Sequence, residues 1–216
     1  MLTNCYRGPM ANTAVPRRSQ ADRRATSRAA LLEASLATLT VKGSAGFTTA
    51  EVCRRAGLSQ GSLFKHFGSR SELLAATTEH LFGLLRSDYT TSFLDPSLQP
   101  RTIRHALDLL WTAMTDERLA AAFDLYTDAR TDPSLRSSIE PVVRSHLEHI
   151  ARLAGELVAE LDVESTETTR ATIELAILSM QGLVLNEMAA PDPTARQRLD
   201  AILDRLAHLL LGGGPT

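Results

Sequence analysis

An apolar repeat of helical period recurs along most of the chain and restricts the fold more than any other feature. Ile103, Ala106, Leu107, Leu110, Trp111 and Met114 fall at i, i+3, i+4, i+7, i+8 and i+11. Residues so spaced share one side of a 3.6-residue helix, whereas strand faces alternate with a period of two. Leu119, Ala122, Phe123 and Tyr126 carry the pattern to Asp132-Pro133, which reads as an N-cap and a first-turn proline. Leu32, Leu36 and Leu39 mark an earlier helix that ends at Gly43. Further helices are expected over about 71–92, 133–161 (kinked at Pro141), 167–188 and 194–211. There is no strand-like alternation and no repeat of 20 to 50 residues. Aromatics make up only 5% of the chain, and Ala, Leu, Arg and Glu are plentiful. The fold class is all-α.

Charge divides the chain. Up to Arg70 there are eleven Lys or Arg against Asp22, Glu33 and Glu51, a surplus of eight, so the remainder carries a net charge of −10 within the overall −2. A basic front on an acidic back suggests that the front alone meets a polyanion. Residues 1–20 hold Asn4, Gly8, Pro9, Asn12 and Pro16 without apolar periodicity, and are expected to be a disordered arm. Residues 21–70 form the basic head and 71–216 the helical body. The two cysteines, Cys5 and Cys53, suggest no disulfide framework. The first twenty residues lack a secretory apolar core, and the longest apolar stretch, Leu175–Leu185, is broken by Ser179, Gln181 and Gly182. The expectation is a cytoplasmic protein with no membrane partner.

The most informative segment runs from Phe47 to Phe67. Val52, Cys53 and Ala56 give a short helix a small apolar face, and Gly57 can adopt the positive φ that stops it. Leu58 plugs the corner, and Ser59 caps a second short helix anchored by Leu63 and Phe67. Gln60, Ser62, Lys65 and His66 are left facing outward, and Gly61 permits close approach of another backbone. A short capped helix with a polar outer face fits the major groove of DNA. Lys65 can meet a phosphate or a guanine edge, and Gln60 and Ser62 can reach base edges or phosphates.

This segment resembles the DNA-binding domain of the tetracycline-repressor (TetR) family. The resemblance rests on the helix-ending Gly43, the Thr48-Thr49 start, Ala56-Gly57-Leu58-Ser59, Gly61-Ser62-Leu63-Phe64 and the exit Phe67-Gly68-Ser69-Arg70-Ser71-Glu72-Leu73-Leu74. It covers about Arg28 to Leu74, and it assigns Thr48, Thr49, Gln60, Gly61, Ser62, Lys65, His66 and Arg70 to DNA. Phe64 stands where the family usually has Tyr and is left with apolar contact only. Arg70 replaces the usual Lys, keeping the charge but changing its geometry. The resemblance further implies a helical regulatory domain with a ligand pocket, and dimerisation through the last two helices.

The body adds architecture. Ile173, Ala176, Ile177, Met180 and Val184 form one apolar face of the penultimate helix, and Leu175, Leu178, Gly182 and Leu185 a second. A helix apolar on both sides needs cover on both. The second face, with Leu199, Ile202 and Leu206 of the last helix, is therefore expected at a homodimer interface. Trp111, Met114, Phe123, Tyr126, Met180 and Asn186 are the pocket candidates: taken singly each reads first as core, and together they allow a mostly apolar cavity with a few polar groups. His146 and His149, at i and i+3, lack further ligands in any motif, so no metal site and no cofactor is expected. No nucleophile elbow, P-loop or dinucleotide fingerprint is present, so the chain is not expected to be an enzyme. The reading is a ligand-responsive DNA-binding transcriptional regulator, a repressor that binds a near-palindromic operator as a homodimer and is released by a small, largely apolar effector. The alternatives are a weakly specific DNA-binding protein with the same head, or a helical small-molecule carrier or enzyme whose basic face is incidental.

Overall fold

The computed structural model describes residues 19–93, 95, 102–160 and 166–210, so the expected disordered arm lies outside the described residues except for Ser19 and Gln20. Among the described residues all regular structure is helical: α1 (Gln20–Lys42), α2 (Thr49–Ala56), α3 (Gln60–Phe64), α4 (Arg70–Phe93), α5 (Ile103–Met114), α6 (Glu117–Ala129), α7 (Pro133–Glu160), α8 (Glu167–Ala189) and α9 (Ala195–Leu210).

Local side chains set most helix starts. The Ser19 hydroxyl accepts from the Asp22 amide and the Asp22 carboxylate accepts from the Ser19 amide, both at 3.0 Å, which closes a reciprocal cap on α1. The hydroxyls of Thr48, Ser59, Thr102 and Thr166 cap α2, α3, α5 and α8 from one side only, each accepting from the amide three residues on. The α4 start uses two groups: the Ser69 hydroxyl accepts from the Glu72 amide, and the Glu72 carboxylate from the Gly68 amide. The Asp132 carboxylate accepts from the Leu135 amide at 3.0 Å, and Pro133 opens α7 without wasting a donor. Pro141 lies inside α7. The pattern over 103–132 is broken at Thr115-Asp116, because the Asp116 carboxylate captures the Arg118 amide at 2.8 Å and starts α6 afresh.

Two apolar clusters hold the molecule together. The first joins Leu31, Leu32 and Leu39 of α1 with Val52, Leu63, Phe67, Leu73 and Leu74, and extends into α6 and α7 through Leu125, Leu135 and Ile139. The head therefore packs directly on the body. The second joins Leu81, Phe82 and Leu85 of α4 with α5, α6, α8 and α9. Ion pairs brace this half: Arg104 meets Asp108 at 3.1 Å, Asp200 at 2.6 Å and Asp204 at 2.5 Å, tying α5 to α9. Arg118 meets Asp116 at 2.6 Å and Asp88 at 3.0 Å, tying α6 to α4.

Candidate nucleic-acid interface and effector cavity

The two turns that shape the head are closed by glycines with positive φ. Gly43 ends α1 at φ 64° and Gly57 ends α2 at φ 66°, a region that side chains with a Cβ rarely enter. After Gly57 the Leu58 amide donates to the Cys53 carbonyl at 3.0 Å, and Leu58 packs on the first cluster. The chain then turns into α3, where the Ser59 hydroxyl accepts from the Ser62 amide at 3.1 Å. Leu63 and Phe67 are buried, which removes ~1.5–3 kcal/mol worth of apolar surface each from water and locks the orientation of α3.

That lock turns the other side of α3 outward. Gln60, Gly61 and Lys65 are exposed, Ser62 and His66 half-buried, and Phe64 is 50% exposed. Gly61 has helical backbone, and a Cβ built there would meet only the Ser59 hydroxyl at 3.9 Å. Nothing among the described residues requires glycine at this position, although glycine costs about 1 kcal/mol in a helix relative to alanine. The open space faces outward, beside Lys65 and Gln60. Burial and the nearby Arg24 and Arg28 guanidiniums hold the His66 imidazole below its ordinary range, so it is neutral at pH 7 and can donate and accept.

The remaining head positions differ in availability. Thr48 is exposed and Thr49 half-buried, and the Thr48 hydroxyl also accepts from the Glu51 amide at 3.2 Å. Arg70 is exposed but draped over the head: it donates to the Ser44 carbonyl at 3.3 Å, with its guanidinium 5.5 Å from the Phe47 ring centroid. Three of the head's cations, Lys42, Arg54 and Arg55, converge on Glu51 at 3.1, 2.7 and 3.2 Å, which holds that carboxyl far below the usual carboxylate range. One carboxylate offsets only one of those three charges, so this side of the head keeps a positive surplus, to which exposed Lys65 and the Arg24 and Arg28 charges beside His66 add.

A cavity of about 220 Å³ opens in the body between α4, α5, α6, α7 and α8. Of the pocket candidates, Met114, Phe123 and Tyr126 line it, and Trp111, Met180 and Asn186 do not. Met180 is fully buried in the second cluster, because α8 turns it toward its neighbours. Trp111 lies against the rim of that cluster with the Arg196 guanidinium 5.8 Å from its ring centroid, and Asn186 faces outward from α8. The polar lining that sequence reasoning missed is Arg86, Tyr89, His146 and Gln181. Phe82, Leu85, Arg86 and Tyr89 share one α4 face at i, i+3, i+4 and i+7, so a lone arginine inside an apolar stripe was the available signal. His146 stacks on Phe82 with centroids 3.8 Å apart and planes 10° apart, and burial brings its pKa down to about 4. Among the described residues no group of three or more His, Cys, Asp or Glu could hold a metal ion.

The outer face of α8 carries Leu175, Leu178, Leu185 and Met188, all about half exposed, with an exposed Gly182 between them. Among the described side chains of α9, Ile202 is the large apolar one left exposed, at 43%. Leu199 and Leu206, expected at the interface, instead pack with Leu203 into the second cluster, because the helical period separates Ile202 from that inner stripe.

The comparisons with known proteins bear on both halves. Residues 31–77 match the model of the bacterial regulatory proteins of the tetR family, and residues 99–209 match a tetracyclin repressor-like C-terminal domain. The chain belongs to the tetR family. Its helix-turn-helix lies within the first match, and the cavity-lining residues of α5 to α8 lie within the second. The HTH-type transcriptional regulator CymR of Pseudomonas putida is 36% identical over 129 residues, 59% of this chain and 63% of that protein. The chain thus matches less than two thirds of that relative's length. The regulator BetI of Paraburkholderia phymatum is 30% identical over 178 residues, covering 77% of this chain and 83% of that one. Among solved structures, a TetR transcription regulator from Haloarcula marismortui superposes with a TM-score of 0.69 at 13% identity, over 86% of this chain and 98% of that one. The multidrug binding protein EbrR complexed with ethidium gives 0.63 at 20% identity, over 83% and 98%. At such identities the superpositions establish the shared fold. No described helix is long and apolar enough to cross a membrane.

Proposed function

We propose that this chain is a ligand-responsive transcriptional regulator, cytoplasmic and nucleoid-associated when DNA-bound, that represses by occupying a near-palindromic operator as a homodimer. The observation that carries this reading is the outer face of α3. Gln60, Ser62, Lys65 and His66 surround a glycine whose free space the chain itself does not use, on a helix held rigid by Leu63 and Phe67. Such a face lets a duplex backbone approach closely while the polar side chains reach base edges and phosphates. Thr48, Thr49 and Arg70 flank it as backbone contacts, and Phe64 offers its ring to sugar or thymine methyl groups. The half-exposed apolar face of α8, with Ile202 of α9, supports pairing of two subunits across a two-fold axis.

Effector control is supported by α4. Near its start Leu73 and Leu74 are buried against the head, while Arg86 and Tyr89 line the cavity. Leu73 and Arg86 lie about 20 Å apart along one helix at 1.5 Å per residue. A molecule that displaces the cavity end of α4 moves the head with it, and half-sites ~34–36 Å apart tolerate little change in separation. Selecting bound duplexes from a random pool tests the DNA reading: an inverted repeat with that spacing is expected, and absence of enrichment over bulk DNA overturns it. Titrating effector into the operator complex, and operator into the effector complex, tests the coupling. Equal factors of roughly 5- to 150-fold in both directions are expected; an effector that fills the cavity and leaves operator affinity unchanged rejects the coupling.

A further inference from the structure

We propose that the body cavity selects a small molecule with one carboxylate on an apolar frame, and that Arg86 is the residue that reads the charge. This rests on the effector reading above and narrows it to a chemical class. Among the described residues that line the cavity, Arg86 is the single side chain that carries a full charge at neutral pH, and none is Asp or Glu. The body's other half-buried arginines are answered by carboxylates, Arg104 by three and Arg118 by two. Arg86 forms no ion pair among the described residues, although it is half-buried beside a mostly apolar lining. A guanidinium in such surroundings favours an anion, and its planar fork matches a carboxylate.

The neighbouring polar groups favour the same ligand. Burial pushes the Tyr89 and Tyr126 hydroxyls up to about 12, so both keep their protons. His146 is neutral, and its Nδ1 is buried with no hydrogen-bond partner among the described residues. Gln181 adds an amide. An organic cation would meet Arg86 as a like charge with no acid among the described lining residues to pair with, whereas a carboxylate meets a cation, the Tyr126 hydroxyl and the Gln181 amide. Size sets the second limit. The cavity measures about 220 Å³, and a cavity of ~150 Å³ is known to take up benzene. The frame is therefore one ring with a short chain, or an aliphatic chain of similar bulk.

The test uses the full-length protein without DNA, by calorimetric titration of 4-phenylbutyrate and octanoate, their primary amides and the matching primary ammonium compounds. The carboxylates should bind at least tenfold more tightly than the amides, and the ammonium compounds should not bind. Arg86→Gln, with native helical content by circular dichroism, should remove the preference for carboxylate and leave the amide affinity as it was. Arg86→Lys should restore part of the preference. Amides or ammonium compounds binding as tightly as carboxylates would overturn the proposal. So would a preference that survives in folded Arg86→Gln, or failure of both carboxylates to bind. If Arg86→Gln does not fold, the ligand series on the native protein and Arg86→Lys decide alone. A carboxylate that binds through Arg86 yet leaves operator affinity unchanged would reject effector control and leave this inference standing.

Discussion

The head and the body are both helical, but their helices are held by different kinds of information. In the head, α2 and α3 are too short to persist alone, and adjacent residues define them: a threonine cap, a left-handed glycine, a serine cap and two buried anchors within 20 residues of sequence. In the body the helices are long, and their directions are decided by neighbours far away in sequence, such as the Arg104 network that joins α5 to α9. The head therefore presents a rigid face to an outside partner, while the body keeps an internal cavity and an uncovered apolar surface. Local constraint suits a reading surface, and distributed constraint suits a region proposed to accept a ligand and a second subunit.

The largest expected effect separates the two sides of α8 and α9. Leu178 is 55% exposed and Leu199 only 1%. Leu178→Glu should give a folded monomer by sedimentation and circular dichroism, with operator affinity lower by ~10²–10⁴-fold as the linked second half-site is lost. Leu199→Glu should instead unfold the body, because it buries a carboxylate with no partner. A Leu178→Glu protein that remains dimeric would place the interface elsewhere.

Next comes the pH response of the body. His146 titrates at about 4 in the folded chain against 6.5 ordinarily, owing first to burial and then to the Arg86 charge. The unfolded chain thus binds the proton at pH values where the native state refuses it. Its contribution is present above pH 6.5 and is lost as pH falls toward 4, on the order of 1–3 kcal/mol. Urea midpoints across that window should show the slope in the native protein and a flatter one in His146→Leu. An identical slope in both would mean that His146 is accessible to solvent protons.

A smaller effect belongs to the head. Lys65→Ala should leave stability unchanged, because the side chain is exposed. If it meets a phosphate, the plot of log K against log salt should flatten by about one unit; if it reads guanine, discrimination at one base pair should fall by ~1–3 kcal/mol. Unchanged affinity, slope and sequence preference would remove α3 from the groove. The smallest change is Gly61→Ala, which fits the free space and should raise folding stability by up to ~1 kcal/mol while weakening DNA binding. A stabilised variant with full affinity would show that the space at Gly61 serves no partner.

How much was legible differs along the same line. The stops at Gly43 and Gly57 and the caps at Ser59 and Asp132 follow from backbone chemistry within a few residues, and the structure forms each of them. The start of α6 at Asp116 was hidden because the apolar stripe passes through it at nearly the same phase. In the cavity, Met114, Phe123 and Tyr126 were recognisable as large apolar residues on inward stripes, but so were Trp111 and Met180, which pack elsewhere. Arg86 and His146 come together from α4 and α7, 60 residues apart in sequence, and no local pattern links them.

By itself the sequence determined that the chain is helical, where its head turns, and which side of α3 is polar, because period, capping and glycine conformation act over one to four residues. Tertiary structure alone decided that Ile202 faces outward while Leu199 and Leu206 face inward, that Arg70 lies across Phe47, and that a guanidinium with no ion-pair partner among the described residues stands beside an apolar cavity. A stripe records that a helix has an apolar side. Which neighbour covers that side, and whether the cover leaves a gap, depends on the crossing and volume of several helices at once.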